Sequence, residues 1–213
     1  MLKYLPVKGL IYMTMEEYRK KKLEIYKKIT GDSEFNKEKG CYLEACIRCN
    51  GACCRNFPCS FSPDDFVDID DLDYMKRILD TGYFVISTFS TYYTKYIGET
   101  IYYIRPRGIK DESTMLANKI PVDNECIFHT VDGCLLDFYT RPSEGALLVP
   151  HKGSFGLGIC SNNYSYDDLM ENWREHQDSM NELVKYYYNK SLEINKPDKG
   201  KLYKLKKKLR QGE

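Results

Sequence analysis

Residues 46–59 read CIRCNGACCRNFPC, which places Cys46, Cys49, Cys53, Cys54 and Cys59 within fourteen positions. Thiols this crowded hold a metal, hold an iron–sulfur cluster or pair as disulfides. Two features weigh against disulfides. The chain has nine Cys, so one is left over from any full pairing. The adjacent Cys53 and Cys54 would also close a strained ring if joined. A Cys-x2-Cys spacing instead lets two thiolates face one ion from a tight turn, with the turn's N–H groups aimed at the sulfurs. Asn50, Gly51 and Ala52 are small or turn-prone, so the backbone can wrap closely there. Phe57, before Pro58, is held extended.

Upstream, the chain opens MLKYLPVKGLIYMTMEEY. The apolar run at residues 10–13 is too short for a signal-peptide core or a membrane span. No later stretch supplies about eighteen uninterrupted apolar residues. The expectation is a cytoplasmic protein without a membrane span, in a compartment where clustered thiols serve as ligands or redox groups rather than staples. At 213 residues and 42% hydrophobic content, one domain with decorated ends is expected. It divides into an N-terminal helical extension (1–40), a cysteine-cluster metal-binding domain (41–190) and a basic C-terminal tail (191–213).

Charge is unevenly spread. Residues 1–40 carry ten Lys/Arg against six Asp/Glu, and residues 190–213 carry nine against three, which leaves residues 41–189 at −9 in a chain of net charge +1. An acidic middle is a poor nucleic-acid surface, so nucleic acid is expected to bind only weakly, through the basic tail. Another protein is the expected partner.

Thr14 and Glu17 read as a capping box opening a helix that Gly31 ends. Ser62, Pro63, Asp64 and Asp65 open a second helix, running to Thr81 and Gly82. Six Asp fall between positions 64 and 73. A calcium loop there would need Gly at its sixth and Glu at its twelfth position, and both are missing. Residues 83–105 read as strands, with a hairpin at Gly98 and Glu99 joining 91–97 to 100–107. Asp132 and Gly133 form a turn between Cys126 and Cys134. A glycine-rich loop leads to Cys160. Ser165 caps a last helix over about 166–189. The fold class expected is α+β: a single domain with terminal helices, a small antiparallel sheet and a loop-rich cysteine site.

The candidate metal ligands are Cys46, Cys49, Cys53, Cys54, Cys59, Cys126, Cys134 and Cys160; Cys41 precedes the turn and is read as a bystander. Four thiolates complete a tetrahedral zinc site or a four-iron cluster, so eight could fill two sites, or one site plus a redox set. Cys53 and Cys54 point in different directions and could serve two metals or two roles. The gap from 59 to 126 requires the fold to bring the second group in, which makes the metal a clamp between two segments. His129 lies within reach of such a site but reads first as a surface or hydrogen-bonding residue; His176 reads as structural. The number of thiolates around one turn favours an iron–sulfur cluster or iron, with zinc the alternative. No phosphate-binding GxxxxGK loop, dinucleotide GxGxxG, HExxH or GxSxG is present in a supporting context. The three-cysteine spacing of radical enzymes fails because position 56 is Asn.

Cys46-x2-Cys49-x3-Cys53-Cys54, then Cys126 followed by Ile127 and Phe128, then Gly133-Cys134, then Tyr139, Arg141 and Pro142 form a pattern. It resembles the CxxCxxCC family of zinc- or iron-chelating proteins, over residues 46–145. The resemblance implies a metal or iron–sulfur site, in an accessory or chelating factor. Some relatives carrying this cluster are flagellin lysine methylases, which implies as an alternative a cluster-dependent protein-modifying transferase. The chain departs from the family where a Cys would fall on Gly145; Cys160 or Cys59 is the expected replacement.

Overall fold

The computed structural model describes residues 15–38, 40–89, 98–112, 114–117, 121–131, 133–150, 160–162 and 166–190. Outside them lie Thr14, the hairpin arm 91–97, Asp132, His151, the glycine-rich 153–158, Ser165 and the tail 191–213.

Helix α1 (Met15–Gly31) turns one apolar face, with Ile25, Tyr26 and Ile29, onto Phe35, Tyr42, Phe138, Ala146 and Leu147. Lys22 fixes its position: the buried ammonium donates to Asp64 Oδ2 at 2.9 Å and Asp65 Oδ1 at 2.7 Å. Two short helices follow, α2 (Leu43–Cys49) and α3 (Ala52–Asn56). Ser62 then caps a single 3-10 turn at Pro63–Asp65, and α4 (Leu72–Leu79) starts afresh from Asp71, whose carboxylate accepts from the Asp73 and Tyr74 amides. The expected single helix from Ser62 to Thr81 is therefore two pieces. Asp68 accounts for the break. Its carboxylate accepts from the amides of Asp70 (3.0 Å) and Asp71 (3.3 Å), a local bond that competes with the helical ladder.

Strand β1 (Phe84–Thr88) pairs antiparallel with β2 (Tyr102–Pro106), Phe84 opposite Pro106 and Thr88 opposite Tyr102. The described partner of β2 is thus the 84–88 strand. Short pairs follow: β3 (His129–Thr130) with β4 (Gly133–Cys134), and, beyond α5 (Ser143–Ala146), β5 (Leu148–Pro150) with β6 (Cys160–Asn162). Helices α6 (Tyr166–Arg174) and α7 (Gln177–Lys190) close the order. The expected helix over 166–189 breaks at Glu175 and His176. There Gln177 turns its side chain back, donating to Trp173 O at 2.8 Å and to Tyr102 O at 2.9 Å. Helices and small antiparallel pairs together make an α+β fold, as expected.

The main core lies between β1, β2 and helices α4, α6 and α7, and buries Met75, Leu79, Ile86, Ile104, Met170, Trp173 and Leu183. Trp173 is fully buried and its indole donates to Phe61 O at 2.8 Å. Two buried arginines then shape the loop that carries Cys126. Arg105 grips Asp111 through two bonds of 2.7 and 2.9 Å, and the same carboxylate accepts from Gly108 N and the Asn124 amide. Arg107 donates to the carbonyls of Gly82, Glu112 and Thr114. Loop carbonyls that would otherwise be buried unpaired find a charged donor this way.

Candidate metal centre

Helices α2 and α3 meet at Asn50 and Gly51, both left-handed (φ 49° and 61°). Asn50 N donates to Ile47 O and Gly51 N to Cys46 O, which ends α2 and restarts the chain as α3 within two residues. This corner puts Cys46 and Cys49 on one short helix and Cys53 and Cys54 on the next. The distant segment is tied directly to it. Cys126 N donates to Cys54 O at 2.7 Å and Asn124 N to Asn56 O at 2.9 Å. Cys134, on β4, is the register partner of His129, and Cys160, on β6, is the partner of Pro150. Cys59 is buried against α5.

All eight candidate cysteines line one cavity of about 420 Å³. Cys41 lines it too, and accepts a hydrogen bond from the Cys46 thiol, so it is not the bystander its position suggested. No local pattern signals this; an isolated β-bridge between Asn36 and Cys41 folds it back. Arg141, read only as part of a motif, also lines the cavity. It donates to Gly40 O and, at 3.1 Å, to Leu136 O.

None of the nine Cys is joined in a disulfide. Among the described residues, no three Cys, His, Asp or Glu side chains converge closely enough to hold an ion. Instead, Cys46 donates to Cys41 and Cys54 donates to Cys53. The second bond, helped by backbone N–H groups and Arg141, outweighs burial and lowers the Cys53 thiol to about 7. Its donor moves the other way, as does Cys46: both are held well above the ordinary thiol range, first by the bond they donate and then by burial. Burial raises Cys59 further, reinforced by the Glu144 carboxylate and by Cys53, Cys126 and Cys134. Cys160 is pushed up to about 11 by burial, with Cys53 and Cys49 adding to it. Ionising any one of these sulfurs therefore opposes ionising the next. A bound cation relieves that conflict, because it supplies the opposite charge locally. Among the described residues, the lining contains no Asp or Glu. A donor set of sulfur with one imidazole suits iron, iron–sulfur clusters or zinc, not calcium or magnesium.

Gly145 is informative. A Cβ built there would lie 3.2 Å from Cys59 Sγ and 3.3 Å from its Cβ. The Cys59 thiol thus fills the space a side chain at 145 would take, while Cys160 approaches from β6. The Asp cluster has structural partners throughout: Asp64 and Asp65 hold Lys22, Asp65 holds Ser143, Asp70 holds His176 and Ser179, and Asp71 caps α4.

The chain matches no family model, no curated protein and no solved structure. No helix among the described residues is long and apolar enough to cross a membrane.

Proposed function

We propose that this protein is a metal-binding accessory or chelating factor that holds an iron–sulfur cluster or iron, with zinc as the alternative, through its clustered cysteines. One observation carries the reading: cysteines from residues 46–59, from 126 and 134, and from 160 all face one cavity. Chance placement of an odd set of thiols would not gather every one of them. No three donors among the described residues converge on one point, so ligation requires side-chain rotation about χ1. The likeness to the CxxCxxCC family points the same way.

A second reading is a cluster-dependent protein-modifying enzyme, such as a lysine-methylase-like transferase. Cavity size favours keeping it. About 420 Å³ exceeds what one ion needs and falls in the range of small-molecule pockets. Calorimetric titration with S-adenosylmethionine tests it, and absence of binding removes it.

The deciding experiment is metal and acid-labile sulfide analysis, with a visible spectrum, on anaerobically purified protein. Iron with sulfide establishes a cluster, iron alone a mononuclear thiolate site, and zinc in a colourless protein the alternative. Protein that takes up none of these on reconstitution refutes the reading. Cys49→Ser and Cys134→Ser are each expected to lower metal content, since they remove sulfurs from opposite segments.

A further inference from the structure

His129 carries an arrangement that the thiols alone do not explain. Its Nδ1 lies 3.0 Å from Glu125 Oε1. A carboxylate on one ring nitrogen fixes the tautomer and the ring plane, and leaves the other nitrogen with a lone pair to offer. That other nitrogen is aimed at the cysteine corner. A Cβ on Gly51 would lie only 2.5 Å from His129 Nε2, so the corner residue must be glycine for the ring to approach. The left-handed φ of Gly51 asks for glycine independently. Gly51 sits between Cys49 and Cys53. On the neighbouring strand, Cys134 is the direct register partner of His129, so the two side chains leave the same face with Cβ atoms about 4.5–5.5 Å apart. The imidazole is 11% exposed and lines the cavity. His176 also has a carboxylate behind it, from Asp70, but it does not line the cavity; His129 joins the carboxylate to a place in the lining and a glycine in front.

We infer that His129 supplies a nitrogen ligand, through Nε2, to the cysteine centre, and that Glu125 is its positioning residue. The inference rests on the metal-centre reading and extends it from an all-sulfur set to a mixed one that includes His129. A nitrogen ligand suits tetrahedral zinc as well as iron, and on an iron–sulfur cluster it raises the reduction potential.

The test is X-ray absorption on the full chain reconstituted with zinc(II). A nitrogen shell at about 2.0–2.1 Å is expected beside sulfur at about 2.3 Å. His129→Ala is expected to lose the nitrogen shell. Glu125→Gln is expected to keep it while zinc affinity falls about 10–100-fold. His176→Ala, at a ring bonded to Asp70 and outside the cavity lining, serves as the control and is expected to keep the nitrogen shell. Should His129→Ala fold poorly, the wild-type chain decides alone: loaded with cadmium-113 and labelled with [15N]histidine, it should show a one-bond metal–nitrogen coupling at His129. An all-sulfur shell, or a nitrogen shell that survives in His129→Ala, overturns the assignment and leaves the centre standing. A chain that takes up no zinc, iron or cluster overturns the centre, and the assignment with it.

Discussion

Gly145→Ala probes whether Cys59 occupies the place of a side chain at 145. Gly145 lies in α5 and does not have positive φ, so alanine suits its backbone and by itself would stabilise by about 0.4–1 kcal/mol. The new methyl, however, would lie 3.2 Å from Cys59 Sγ and 3.3 Å from its Cβ, inside ordinary contact. The two segments cannot ease apart, because Ser60 N donates to the Glu144 carboxylate and Glu144 N donates to Ser60 O. Overpacking of about 1–3 kcal/mol therefore wins over the backbone gain, for a net loss of about 1–2 kcal/mol. In a Cys59→Ala background the sulfur contact is gone, and the same substitution should be near neutral. The assay is a double-mutant cycle on urea midpoints of the metal-free chain, with an expected compensating coupling of about 1–2 kcal/mol. On the metal side, Cys59→Ala should lower metal content, and Cys59→Ala/Gly145→Cys should restore it, since the thiol then enters the same gap from its opposite wall. Additivity within about 0.5 kcal/mol, together with no restoration of metal, would refute the reasoning.

In the metal-free chain, Cys53 should be the first thiol alkylated by iodoacetamide, with a pH midpoint of about 7; peptide mass spectrometry across a pH series reads it, and Cys54→Ala should move the midpoint upward by removing the donor. Asp111→Asn should cost about 3–5 kcal/mol in urea unfolding, because it leaves the fully buried Arg105 without its counter-charge. Burial alone would raise the Asp111 carboxyl, but Arg105, Gly108 N and Asn124 outweigh it and hold it below the ordinary 3.8. Its stabilisation is therefore present above about pH 3.8 and lost as pH falls through the lower folded value, a dependence the Asn variant should lack.

The sequence and the structure agree where local chemistry decides. Cys-x2-Cys with Asn50 and Gly51 specified the corner between α2 and α3, and Ser62, Pro63 and Asp65 specified a cap. They part where a side chain takes backbone groups that the pattern assigns to a helix, or reaches across the fold. Asp68 and Gln177 each interrupt what periodicity reads as one helix, because a carboxylate or amide bonds backbone groups the helix would have used. Cys41 joins the cavity through a bridge to Asn36, and Arg141 through the Gly40 carbonyl. Such contacts leave no periodic trace. The role of Gly51 was legible only in part: a turn glycine was evident, whereas the imidazole standing against it was not.

Metal removal separates two ways in which a thiolate centre can serve a fold. In a zinc finger the ion supplies about 10–16 kcal/mol and the peptide is unfolded without it, since there is no other core. Here the segments that a metal would clamp are already joined by backbone bonds, Cys126 N to Cys54 O and Asn124 N to Asn56 O, and Arg141 fastens Leu136 to Gly40. The main core around Trp173 and Ile86 contains none of the cysteines. Chelation should therefore leave the far-ultraviolet circular dichroism close to native, with a cooperative melt at lower temperature. Amide exchange should rise at residues 46–59 and 126–134 before it rises in α4 or α7. Collapse of the whole spectrum on chelation would mean that the backbone ties and the separate core are too weak to hold the fold, and that the metal organises the chain rather than completing it.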